Sequence, residues 1–103
     1  MGPARAQDAT WLFSPGSASF NTGANWTPAT VPTGTAFFGA TTDSAIIVGA
    51  ATTLGGFTFN AGASGYTITI APAGSLTFTG VGIVNNSGQA QTLVNQGNLI
   101  FTN

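Results

Sequence analysis

At 103 residues the chain has the length of one domain, and with 43% hydrophobic but only 3% charged residues it lacks the polar, charge-rich composition of a disordered protein. A net charge of −1 offers no Lys/Arg cluster for nucleic-acid phosphates or an anionic lipid surface, and no apolar run approaches the roughly 20 residues of a membrane-spanning helix. The lack of Cys and His removes disulfide frameworks and the nitrogen and sulfur ligands of zinc.

Residues 1–7 read as a signal-peptide remnant or an added tail. Ala4-Arg5-Ala6 ahead of Gln7-Asp8 has the small-x-small pattern of a signal-peptidase site, with a mature start at Gln7; the alternative is chance in an Ala-rich tail. Residues 8–35 hold both tryptophans and the turn signals Ser14-Pro15-Gly16, Asn21-Thr22-Gly23 and Val31-Pro32-Thr33-Gly34. Pro28 and Pro32 forbid a regular central strand there. This stretch is expected to form an irregular N-terminal cap, with Trp11, Phe13, Phe20 and Trp26 covering an open apolar end. The alternative use of the tryptophans is an exposed platform on which a glycan stacks.

Residues 36–103 read as a succession of short strands. Ala36-Phe37-Phe38, Ser44-Ala45-Ile46-Ile47-Val48, Thr52-Thr53-Leu54, Gly56-Phe57-Thr58-Phe59-Asn60, Tyr66-Thr67-Ile68-Thr69-Ile70, Ser75-Leu76-Thr77-Phe78-Thr79, Gly82-Ile83-Val84-Asn85-Asn86, Thr92-Leu93-Val94-Asn95 and Asn98-Leu99-Ile100-Phe101-Thr102 follow at short intervals. Turn residues separate them, and Asp43 sits in one such turn, where its carboxylate serves local backbone donors.

Three of these phrases are variants of one another. Leu76 and Phe78 align with Leu99 and Phe101, and Phe57 and Phe59 align with Leu76 and Phe78, at periods of about 19 and 23 residues, a size that marks solenoids. In a parallel β-solenoid equivalent residues stack about 4.8 Å apart. The expected internal ladders are Phe57/Leu76/Leu99 and Phe59/Phe78/Phe101, with Asn60, Gly80 and Asn103 lining a turn. An antiparallel sandwich uses the same strands, but its two-residue Asn-Gly or Asp-Gly hairpins are absent from the sequence. The fold expected is therefore all-β, a parallel β-helix or β-solenoid over residues 36–103.

These residues resemble a known family. Asn21-Thr22-Gly23-Ala24-Asn25-Trp26-Thr27-Pro28 with Val31-Pro32, then Gly55-Gly56-Phe57-Thr58-Phe59-Asn60-Ala61-Gly62, then Leu76-Thr77-Phe78-Thr79-Gly80 with Gly82-Ile83-Val84-Asn85-Asn86-Ser87-Gly88, look like the N-terminal passenger region of bacterial autotransporters with autotransporter-associated β-strand repeats. The resemblance implies a right-handed parallel β-helix exported through the inner membrane and displayed on, or released from, the surface of a Gram-negative cell. It also implies an adhesive or structural role, and it strengthens the reading of Ala4-x-Ala6 as a cleavage site. No membrane barrel is present in this sequence, which reads as a fragment or a short relative.

Candidate chemistry is sparse. The only acids are Asp8 and Asp43, Ser64 and Ser87 have no base to activate them, and Gly55-Gly56 and Gly80-Val81-Gly82 lack the Lys of a phosphate loop. No catalytic, cofactor or metal site is expected, and the segment is read as non-enzymatic. What the sequence does offer is an uncharged final strand, Leu99, Ile100, Phe101 and Thr102, expected to act as a self-association edge giving dimers or filaments. No nucleic-acid partner and no membrane insertion of this segment are expected, and any cell-surface or glycan partner is unidentified. The Thr67-Ile68-Thr69 and Thr77-Phe78-Thr79 ranks are weaker candidates for an ice-binding array.

Overall fold

Alternating apolar and polar residues dictate the backbone of this chain, and a computed structural model describes its residues 7–102. The strands are β1 (Ala9–Trp11), β2 (Trp26–Thr27), β3 (Thr35–Phe38), β4 (Ala45–Val48), β5 (Ala51–Phe59), β6 (Thr67–Ile70), β7 (Ser75–Asn85), β8 (Thr92–Asn95) and β9 (Asn98–Phe101). Among the described residues there is no α-helix, only a single 3-10 turn at Gly23–Asn25. The strands form a six-stranded sheet in the order β2-β1-β3-β5-β7-β9 and a three-stranded sheet in the order β4-β6-β8. Every pairing is parallel except that of β1 with β2. The chain is a parallel β-solenoid.

Each coil has three straight segments, because β5 and β7 turn a corner within the strand. In β5, Thr52 and Leu54 point inward, then Phe57 and Phe59 do, so the inward parity switches between them. The pairing of β5 with β7 breaks register at this point, between Leu54 and Gly56. Glycine makes the corner: a Cβ on Gly55 would lie 3.0 Å from the Gly34 carbonyl oxygen, and one on Gly80 would lie 2.9 Å from that of Gly55.

That corner corrects the expected ladders. Leu76 stacks with Leu99, and Phe78 with Phe101, but their partners in the preceding coil are Thr52 and Leu54. Phe57 stacks between Ala36 and Ile83, and Phe59 between Phe38 and Asn85, on the next segment of the coil. The phrase containing Phe57 and Phe59 resembles the later two only in its alternation; its position after Gly55 rotates it to another side. The Asn60 turn is corrected likewise. Asn60 and Asn86 donate their backbone N–H groups to the carbonyls of Phe38 and Phe59, so Asn60 stacks near Gly39 and Asn86, while Gly80 belongs to the Gly55 corner. Asn103 lies outside the described residues, as do residues 1–6 with the Ala4-Arg5-Ala6 pattern.

The interior is filled from end to end. Phe57, Phe59, Leu76 and Phe78 are all fully buried, with Ile46, Ile68, Val48, Ile70, Leu54 and Phe38 completing the other ladders. Aromatic rings run through this core: Trp11 meets Trp26 at 5.2 Å, Trp26 meets Phe38 at 5.8 Å, and Phe38 stacks on Phe59 at 4.8 Å. A second line runs Phe20, Phe57, Phe78, Phe101 with centroid separations of 5.8, 4.9 and 5.1 Å. Each fully buried side chain of this kind contributes about 1.5–3 kcal/mol through water exclusion, and favourable ring geometry adds roughly 0.5–1.5 kcal/mol per pair.

The N-terminal segment is more regular than its turn signals suggest. β1 pairs in parallel with β3, Ala9 opposite Ala36, so residues 8–35 already contain a first coil. Ser19 also bridges to Ile47 in parallel, extending the three-stranded sheet by one backbone step. β2 then folds back antiparallel over β1 and closes that end of the stack.

Candidate functional site

The closed end is organised by a residue that sequence reasoning passed over. Asn25 is buried, and all its amide capacity is used: Oδ1 accepts from the backbone N–H groups of Gly16 (3.0 Å) and Ser17 (3.3 Å), and Nδ2 donates to Ser17 Oγ and the Ser19 carbonyl, both at 2.9 Å. A buried amide so satisfied fixes the conformation of the loop that carries Phe20 and Trp26. Trp26 Nε1 donates to the Phe20 carbonyl at 2.9 Å, and Trp11 Nε1 to the Asp43 carbonyl at 3.1 Å. Both indoles are buried, which removes the stacking platform considered for glycans. Phe13 is not part of the lid: it is 62% exposed, because it follows β1 on a turn. The hydroxyls of Thr41 and Thr42 hold its carbonyl there.

Ionisable groups are used locally. Asp8 Oδ1 accepts from the Thr35 N–H at 2.8 Å, and Asp43 Oδ1 from the Ala45 N–H at 3.3 Å, each fixing the start of a strand. The Tyr66 hydroxyl donates to the Gly39 carbonyl at 2.7 Å, and burial pushes its pKa up to about 12, opposed by its hydrogen bond with Thr41. Among the described residues there is no group of three or more His, Cys, Asp or Glu side chains placed to hold a metal ion, and no enclosed pocket. Ser64 and Ser87 serve as turn residues: the Ser64 hydroxyl accepts from the Thr41 N–H, and the Ser87 hydroxyl donates to Asn85.

The two Thr-x-Thr ranks do not share a plane. Thr67 and Thr69 lie on β6 in the three-stranded sheet, whereas Thr77 and Thr79 lie on β7 in the six-stranded sheet. The outward ranks of the three-stranded face are Ala45/Thr67/Thr92 and Ile47/Thr69/Val94, which mix hydroxyls with bare methyls. A regular two-dimensional hydroxyl lattice is absent from the described faces.

The remaining candidate is the end opposite the tryptophan lid. There the inward ladders stop at Ile83, Leu93, Leu99 and Phe101, with Ile83 38% and Phe101 57% exposed, and Ile100 adds an apolar side chain at 44%. Leu99, Ile100, Phe101 and Thr102 all lie on this edge. Asn98 and Thr102 donate their N–H groups back to Gly74 and Phe78. In a parallel strand alternate residues bond to opposite sides, so the N–H and C=O groups of Leu99 and Phe101 face away from the stack. Thr92 and Gln96 bond back to Tyr66 and Ile70 in the same manner, which turns the backbone of Leu93 and Asn95 outward. Two asparagines border the apolar centre. Asn85 occupies the ladder position of Phe59, and Asn95 that of Ile70, with each side chain tied into its own turn through Ser87 N–H (3.1 Å) and Gly97 N–H (3.1 Å). Compared with known proteins, the chain matches no family model, no curated protein and no solved structure.

Proposed function

We propose that this chain is a non-enzymatic structural or adhesive module: a β-solenoid passenger segment exported from a Gram-negative bacterium and carried at its surface. The observation that carries this reading is the uninterrupted core. Two lines of aromatic rings run from the tryptophan lid through successive coils. The inward space that a ligand would need is occupied by core side chains, and the surface is largely uncharged, with Thr, Ala, Asn and Ser interspersed with exposed apolar residues such as Phe13, Ile47 and Val81. Such an object holds its length and presents a neutral surface, which suits a spacer or a contact module.

The resemblance of residues 21–32, 55–62 and 76–88 to autotransporter passengers supports the export half of the proposal. Antibody labelling of intact producing cells tests it: surface labelling that protease treatment removes is expected. Labelling that appears only after lysis would refute surface display. Deleting the segment is expected to reduce attachment to host cells or abiotic surfaces if the module is adhesive, and to leave attachment unchanged if it is purely a spacer.

A further inference from the structure

We infer that the Gln91 side-chain amide acts as a surrogate backbone partner, completing a strap of side chains that joins four successive coils along one corner and makes that corner open as a unit. The inference concerns the fold itself and does not rest on the export or surface role proposed above.

The three corners of a coil are built differently. Two bring backbone directly onto backbone: Gly55 and Gly80 crowd the carbonyls of Gly34 and Gly55, and Gly74 and Gly97 crowd those of Val48 and Gly74. The third corner, made by the turns at residues 39–44, 60–66 and 86–91, is wider. Gly39, Gly62 and Gly88 in these turns have nothing within 4 Å of a would-be Cβ. Backbone pairing between coils lapses after Asn86, which bonds back to Phe59, and resumes only at Thr92, which bonds back to Tyr66. Side chains span the gap.

Three half-buried residues, Thr41, Ser64 and Gln91, supply them. At the first junction the Thr42 N–H donates to the Phe13 carbonyl at 2.7 Å, and the Thr41 hydroxyl donates to the Leu12 carbonyl at 3.0 Å. One coil on, the Ser64 hydroxyl accepts from the Thr41 N–H at 3.1 Å and donates to the Thr41 carbonyl at 3.4 Å. At the next junction Gln91 Nε2 donates to the Ser64 carbonyl at 2.9 Å, and Gln91 Oε1 accepts from the Tyr66 N–H at 2.7 Å. A residue in a parallel ladder bonds in this way to the C=O and N–H on either side of its mate. The Gln91 amide does the same around Gly65, with side-chain atoms in place of backbone. Nε2 also donates to Ser87 Oγ at 3.1 Å, which steadies the amide from its own coil.

Only a group with both a donor and an acceptor can fill this position. Coils of a solenoid contact only their neighbours, so by default they fray one at a time. Ser64 changes that at this corner, because its side chain bonds to the coil before it and its carbonyl to the coil after it. Opening either junction frees a group that the other uses.

Native-state hydrogen exchange tests the inference, because each junction contributes one amide: Thr42, Thr41 and Tyr66. In the unaltered chain the three are expected to share one protection factor to within about threefold and one dependence on denaturant, the mark of a single opening unit. Gln91→Ala is expected to speed Tyr66 exchange at least about tenfold, and more than it speeds Thr42 exchange, which splits the unit. Gln91→Glu keeps the size and shape of the side chain but, when ionised, turns only acceptors toward the Ser64 carbonyl. It is expected to match Gln91→Ala at about pH 6 and to regain Tyr66 protection at about pH 3, below the ordinary glutamate pKa of about 4.3, where the carboxyl again carries a donor. Asp43 and Tyr66 are the titratable groups on the turns of this corner and are common to every protein compared, so the ratio of variant to unaltered chain isolates position 91. Three results would overturn the inference: junction amides of the unaltered chain that differ in their dependence on denaturant, Tyr66 exchange unchanged by Gln91→Ala, or a Gln91→Glu chain whose relative Tyr66 protection does not rise as the pH is lowered.

Discussion

The corner between the three-stranded sheet and the first half of the next strand offers a sharp test of coil stacking. A Cβ placed on Gly74 would fall well under 3.0 Å from the Val48 carbonyl oxygen of the coil below, and Gly97 in the coil above crowds Gly74 in the same way. Gly74 is thus held between two backbone layers, neither of which is a flexible side chain that can swing aside. Gly74→Ala must push the coils apart locally, lengthening inter-coil hydrogen bonds such as Ala71 N–H to the Val48 carbonyl (3.0 Å) and Ser75 N–H to the Ala50 carbonyl (3.4 Å). Overpacking of this kind costs about 2–3 kcal/mol. For a domain of this size that is a fall of roughly 8–24 °C in melting temperature. Gly49, at the same corner one coil earlier, has nothing within 4 Å of its would-be Cβ and an ordinary φ. Gly49→Ala is therefore expected to leave stability unchanged or to raise it by about 0.4–1 kcal/mol through the unfolded chain. Gly97→Ala is expected to cost about as much as Gly74→Ala, since a Cβ there would crowd the backbone carbonyl oxygens of both Gly74 and Ala71. Thermal and urea unfolding followed by circular dichroism distinguishes the three. Equal stability of Gly74→Ala and Gly49→Ala would refute the close backbone stacking on which the corner is built.

Two further predictions concern buried polar groups. Asn25→Ala strands the Gly16 and Ser17 N–H groups and the Ser19 carbonyl, and is expected to cost about 2–4 kcal/mol, with the loss appearing first as increased tryptophan exposure in fluorescence quenching; an unchanged quenching constant would show that the lid does not need this amide. For Tyr66, the folded pKa is raised to about 12 against an ordinary 10.0, so the folded state retains a proton that the unfolded chain loses. The associated stability is fully present below pH 10 and is lost as pH rises through about 12. Tyr66→Phe removes the bond to the Gly39 carbonyl, costs about 1 kcal/mol near neutral pH, and should flatten that alkaline decline. An identical alkaline profile in Tyr66→Phe would assign the decline to something else.

The strands after residue 35 were legible because their alternation leaves no other way to bury Ile46, Ile68 and Phe78. Stacking was legible from the recurrence of the Leu76-Thr77-Phe78 pattern at residues 99–101. The phase of the earlier coil was not. Thr52-Thr53-Leu54 is the true mate of Leu76-Thr77-Phe78. It carries a buried threonine where the ladder has leucine, so the more aromatic phrase across the Gly55 corner looked the better match. Thr52 survives inside because its hydroxyl donates to the Ala50 carbonyl at 2.9 Å and accepts from Asn21 Nδ2 at 2.8 Å, the latter a contact across 31 positions that no local pattern announces. β1 was hidden for a related reason: three residues flanked by turn signals carry too little periodicity to read. Asn25 drew no structural reading from the sequence, because its role depends on Ser17 and Ser19 being folded against it.

The scarcity of charge follows from stacking geometry. In a solenoid every outward position has neighbours about 4.8 Å above and below, so like charges repeated along a ladder repel by roughly 1 kcal/mol per contact in water and by three to four times that at the lower effective dielectric near a protein surface. Outward ladders such as Thr53/Thr77/Ile100 and Ala45/Thr67/Thr92 avoid that repulsion with uncharged residues. The same choice removes what ordinarily protects an exposed strand edge, since a lysine on β8 or β9 would keep other chains away. At the tryptophan end the conflict is resolved by covering the core with β2 and the loop tied by Asn25. At the other end, Leu99 and Phe101 retain both the apolar surface and the outward backbone groups that make one coil adhere to the next. The property that lets the coils stack is therefore still displayed at Phe101, which is 57% exposed where Phe78 one coil below is fully buried, so Phe101→Lys is expected to lower the melting temperature far less than Phe78→Lys.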